Sequence, residues 1–113
     1  MRKLLLLLIT LIGTTLSAQL GEVVLGNYCG DDHASPSRQI QKGLQALNKG
    51  DYPNAGVYIG AALRQNEADQ HALYLRGEWA MRTGKFPIAE GSWKRLVKRC
   101  PGYKPDLLFF IAT

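Results

Sequence analysis

Sliding the 113-residue chain against itself by 34 positions brings like residues into register, and this self-similarity limits the possible folds more than any other feature. Gly43 meets Gly77, Gly50 meets Gly84, Tyr52 meets Phe86, Pro53 meets Pro87 and Ala55 meets Ala89; Ile59 with Trp93 and Leu63 with Val97 follow at the same offset. Small residues align with small ones and bulky with bulky. A period of this length is that of a helix-turn-helix unit that stacks on copies of itself. The sequence therefore predicts an all-α chain whose units share a core.

Each unit has its own physical logic. Between Arg38 and Lys49, the residues Ile40, Gly43, Leu44 and Leu47 recur at spacings of three and four, one apolar stripe on a helix. Gly50 supplies the positive φ that ends a helix, and Asp51 or Tyr52-Pro53 opens the next one. That second helix is expected over 54–65, with Ala55, Ile59, Ala62 and Leu63 on one face. In the second unit Ala72, Leu73, Gly77, Ala80 and Met81 line the first helix, Thr83-Gly84-Lys85 makes the turn, and Ala89, Trp93, Leu96 and Val97 line the second helix. Cys100-Pro101-Gly102 stops it, because proline cannot continue a helix. Short side chains at Gly43, Ala55, Gly77 and Ala89 let helix axes approach closely.

With this period, and with Gly-Asp-Tyr…Ala and Gly-Lys-Phe…Ala…Pro around the turns and second helices, the chain resembles a tetratricopeptide repeat (TPR) protein over 36–103. The resemblance implies an α-α superhelix: one repeat at 36–69, a second at 70–103, and the first helix of a third over 104–113. The chain departs from the family pattern at Lys42 and Arg76, which stand where an apolar residue is usual. It departs also at Gln39 and at Glu67, which occupies the place that Pro101 has in the second unit.

The first 18 residues read as an export signal: basic Arg2-Lys3, an apolar run over 4–12, and the small polar end Gly13-Thr14-Thr15-Leu16-Ser17-Ala18 before Gln19. Gly, Thr and Ser dilute the second half of this stretch, which argues against a permanent anchor; membrane contact is expected only through this segment, if uncleaved. An extended segment over 19–35 follows. Export places the mature chain in the periplasm or outside the cell, where Cys29 and Cys100 can pair; the sequence leaves open a bridge or two separate thiols. Without Arg2 and Lys3, 12 basic residues stand against 9 acidic ones. That surplus is too mild to indicate a nucleic-acid partner.

The residues carry no sign of catalysis. Asp31, Asp32 and His33 beside Cys29 lack the ligand spacings of zinc or calcium sites. No glycine-rich phosphate loop precedes a Lys-Ser or Lys-Thr, and no nucleophile motif surrounds Ser35, Ser37 or Ser92. Neither an enzyme, nor a metal site, nor a cofactor is expected.

The resemblance implies instead a concave face built from the first helix of each repeat. Its candidates are Ile40, Leu44, Leu47 and Asn48 in one unit and His71, Tyr74, Glu78, Met81 and Arg82 in the other. The lysines and asparagines with which some family members clamp a terminal carboxylate are replaced by Ile40, Leu44, Tyr74 and Glu78. A hydrophobic or amphipathic peptide is the expected ligand, with Tyr74 and Met81 as anchors, unless these residues merely pack against neighbouring helices. Lys94, Arg95, Lys98 and Arg99 form a basic patch that reads as a solvated face or as a dock for an acidic partner or anionic surface.

Repeat stacks generally need three units. Here the run Leu107-Leu108-Phe109-Phe110-Ile111 has no second helix to cover it, so the chain is expected to self-associate, borrow a helix from a partner, or be the front piece of something longer. The functional expectation is an exported scaffold for a protein or peptide partner. The alternatives are the N-terminal part of a larger periplasmic or outer-membrane-associated assembly protein and, more distantly, a small secreted enzyme or ligand-binding protein.

Overall fold

The computed structural model describes residues 21–30 and 36–112, with the side chains of 110–112 excepted. The expected signal segment lies outside the described residues. Five helices follow in order: α1 Arg38–Lys49, α2 Tyr52–Gln65, α3 Gln70–Arg82, α4 Phe86–Arg99 and α5 Asp106–Ala112. No strand occurs among the described residues, and none of their helices is long and apolar enough to cross a membrane.

The helix ends follow the local chemistry. Ser37 caps α1 by accepting the Ile40 N–H at 3.2 Å, and Asp69 caps α3 by accepting the Ala72 N–H at 3.0 Å. Asp51 opens α2 in the same way, accepting from Asn54, and that helix starts at Tyr52, ahead of the position expected from periodicity, because Pro53 suits the first turn. Gly50 and Gly84 both take φ 77°, the left-handed conformation that closes each hairpin at positions 34 residues apart.

Helices α1 and α2 form one antiparallel pair and α3 and α4 the other, while α3 also packs against both α1 and α2. Equivalent small residues make the tight contacts. A Cβ on Gly43 would sit 3.1 Å from the Ile59 side chain, and one on Gly77 would overlap the Trp93 indole. The pairing of Ile59 with Trp93 in the sequence register thus has a spatial cause: each fills the notch left by its own unit's glycine. Trp79 joins the two pairs by donating its indole N–H to the Tyr52 carbonyl at 2.9 Å. The core runs from Ile40 and Leu47 through Ile59, Leu73 and Leu75 to Leu96, Cys100 and Tyr103. Residues 71–75 are buried without interruption, which a two-layer helix stack alone does not explain, because one side of α3 should face solvent.

Candidate functional site

The cover on that side is the chain's own N-terminal segment. Residues 21–30 run as an extended strap over the face built by α1 and α3, antiparallel to α3, with Gly21 beside Arg82 and Cys29 beside Gln70. Two side-chain amides grip its main chain. The Val23 N–H donates to Asn48 Oδ1 at 2.7 Å, and Asn48 Nδ2 donates back to the Val23 carbonyl at 3.1 Å. Gln70 repeats the arrangement at Cys29, accepting its N–H at 2.8 Å and donating to its carbonyl at 3.0 Å. A primary amide carries one acceptor and donors on adjacent atoms, so it complements the N–H and C=O of an extended residue as a neighbouring strand would.

Three further contacts fix the register. The Asn27 N–H donates to the Tyr103 carbonyl at 3.0 Å, the Arg82 guanidinium donates to the Gly21 carbonyl at 3.2 Å, and a disulfide joins Cys29 to Cys100, their Cα atoms 5.7 Å apart. Strap side chains alternate as an extended chain requires: Val23 is 4% exposed, Val24 is 57% exposed, and Leu25 turns back onto the core. Gly26 lies where any Cβ would overlap the Tyr103 carbonyl oxygen.

Under the strap lies an aromatic cluster. His71 sits between Tyr28 and Tyr103, with ring centroids 5.0 Å and 5.6 Å away, and its Nδ1 is 2.7 Å from the Tyr103 hydroxyl. Tyr74 stacks obliquely on Tyr103 at 5.4 Å, donates its hydroxyl to Glu78 Oε1 at 3.0 Å, and carries Lys104 over its ring at 5.2 Å. Burial pushes the Tyr74 phenol well above the ordinary tyrosine range, and the neighbouring Glu78 carboxylate adds to the shift. Burial does the same to Tyr103, opposed in part by a hydrogen bond from the Gly26 backbone.

Both phenols are therefore held neutral by the fold. Their contribution to stability is full below the unfolded tyrosine value of about 10 and is lost as pH rises through their raised folded values. The melting temperature, followed by helical circular dichroism, is expected to fall between about pH 10 and 12, with phenolate absorbance rising together with unfolding. A flat profile over that window would contradict the buried cluster.

The strap corrects the expectation of an open concave face. Ile40, Leu47, His71 and Tyr74 are buried, and Leu44 and Met81 are half-buried against the core, so Tyr74 and Met81 are not free anchors. The physical reason is economy of apolar surface: in a stack of two units the first-helix face would leave these side chains in water, and Val23 and Leu25 cover them. Of the candidates, Asn48 and Arg82 hydrogen-bond the main chain of the strap, and they stand 34 residues apart in the repeat register. Glu78 holds Tyr74 and lies 3.6 Å from Arg82 Nε.

Elsewhere the expected residues separate. Lys94, Arg95, Lys98 and Arg99 are all exposed; Lys94 pairs with Glu90 at 2.7 Å and Arg95 donates to the Glu67 carbonyl at 3.2 Å. Leu107 packs into the core and is not available for self-association, whereas Leu108 and Phe109 are exposed, Phe109 at 77%. The Phe110 and Ile111 side chains, and Asp31, Asp32 and His33, lie outside the described residues. Among the described residues no group of His, Cys, Asp or Glu could hold a metal ion.

Residues that sequence reasoning passed over are Val23, Gly26, Gln70 and Tyr103. The apolar Val23-Val24-Leu25 inside an otherwise polar segment was the available signal. On the opposite side, Gly56, Gly60, Leu63, Arg76 and Trp79 line a half-open cleft of about 310 Å³ between α2 and α3. Set against known proteins, the chain matches no family model, no curated protein and no solved structure.

Proposed function

We propose that the chain is an exported TPR-like interaction module whose first-helix face holds an extended polypeptide strand. The observation that carries this reading is the pair of amide clamps: Asn48 and Gln70 each satisfy both polar groups of one main-chain residue, six positions apart. Such contacts read main chain and not side chain, so the same face suits a strand from another protein. The sequence register supports the repeat assignment, and the equivalent contacts of Gly43 with Ile59 and Gly77 with Trp93 agree with it.

A display library of random decapeptides, panned against the full exported chain carrying Val23→Asp and Cys29→Ser to expel and unlatch the strap, tests the reading. Enrichment is expected, and it should vanish when Asn48→Ala and Gln70→Ala are added, each removing two hydrogen bonds worth roughly 0.5–1.5 kcal/mol apiece. Enrichment indifferent to both amides would overturn it.

A second reading, the front part of a larger envelope-associated protein, draws on exposed Leu108 and Phe109, which leave α5 with an apolar face for a further helix.

A further inference from the structure

Resting on that strand-binding reading, we infer that the face is a latched and sequence-selective site. Residues 21–30 fill it, the Cys29–Cys100 bridge keeps them there, and reduction of the bridge lets the face take a strand from another polypeptide with an apolar residue followed three positions later by glycine.

The selectivity arises from two places in an otherwise main-chain-reading groove. The Val23 side chain is almost fully enclosed, which admits an apolar group and rejects a charged one. Three residues on, Gly26 faces the Tyr103 carbonyl oxygen, and the adjacent Asn27 N–H is bonded to that same oxygen at 3.0 Å, so the strand cannot back away to make room. The need for glycine is spatial: Gly26 is not among the residues with positive φ. The clamps at Val23 and Cys29 fix the register on either side, so a bound strand cannot slide to bring a different residue against Tyr103. Val24 faces solvent and is left unread.

The latch follows from where the two sulfurs lie. Cys100 is wholly buried at the end of α4, whereas Cys29 is exposed on the strap. A dithiol reductant attacks Cys29 Sγ; the Cys100 sulfur leaves and takes a proton. The reductant's second thiol then displaces Cys29 as a free thiol, and the reductant departs as a disulfide, two electrons and two protons having passed to the protein. With the bridge intact the strap is fixed at Cys29 as well as by the chain leading to α1, and a free strand cannot compete. With it open, the strap competes only as a tethered ligand at an effective concentration on the order of millimolar.

The test uses a fluorescent decapeptide of the 21–30 sequence bearing Cys29→Ser, and a second bearing also Gly26→Val, with anisotropy as the readout. The first peptide is expected to ignore the oxidised chain, to bind the dithiothreitol-reduced chain, and to bind the reduced full chain carrying Gly26→Val about tenfold or more tightly than the reduced parent. The second should bind about tenfold or more weakly throughout. If neither peptide binds any form, the strand-binding reading itself fails. Equal binding of the two peptides removes the glycine selectivity, and equal binding to oxidised and reduced chains removes the latch. Should the Gly26→Val chain not fold, the reduced chain with both peptides decides the same points. Loss of helical circular dichroism on reduction would make the bridge a structural staple and overturn the latch.

Discussion

Gly77→Leu is expected to leave no folded module. A Cβ at this position already overlaps the Trp93 indole, and that ring has nowhere to go: it is 4% exposed and its N–H donates to the Tyr74 carbonyl at 3.3 Å. Inserting methylenes into a packed core usually costs about 1–3 kcal/mol, and occasionally more. Here the insertion also separates α3 from α4, whose contact organises the second unit, against a net stability of roughly 5–10 kcal/mol for a domain of this size. Gly91→Ala is the control. It lies in α4 with nothing near its Cβ position, so it should raise stability by up to about 1 kcal/mol through helix propensity. Melting curves of the two variants should move in opposite directions, and a Gly77→Leu chain that melts like the parent would refute the close contact.

Loss of the disulfide comes second in size. The bridge joins residues 71 apart, for which the chain-entropy model gives about 4 kcal/mol and measured cases commonly about 2–4. Cys29→Ser is the cleaner variant, since Cys29 is exposed, whereas serine at position 100 would add a buried hydroxyl. Urea titration is expected to show that loss with the helical signal retained at low denaturant. A change below about 1 kcal/mol would mean that the strap adds little to the folded state.

The helices were legible because their signals are local and repeated. Gly50 with Gly84, and Tyr52-Pro53 with Phe86-Pro87, place both turns, and the apolar stripes set the helix faces. The small residue at 77 marked a close helix approach, but that Trp93 fills it is seen only in the fold. The strap was not legible, because an extended segment carries no helical period and its cue is the short apolar run Val23-Val24-Leu25, which does not alternate with polar residues. Gln70 gave no sign of its role: a glutamine at a helix start reads as surface, and only the strap's arrival buries it. Asn48 was expected on the concave face, but that a segment of the same chain lies against it depends on contacts between residues 25 apart. The pairing of Cys29 with Cys100 stayed open for the same reason, since spacing alone does not bring two thiols together.

The central claim is that residues 21–30 lie in the face formed by α1 and α3. Native-state amide hydrogen exchange on the oxidised chain tests it most directly. The amides of Val23, Asn27 and Cys29, bonded to Asn48, Tyr103 and Gln70, should exchange as slowly as amides within the helices. Exchange of these three at the rate of an unstructured chain, with the helices still protected, would contradict the account.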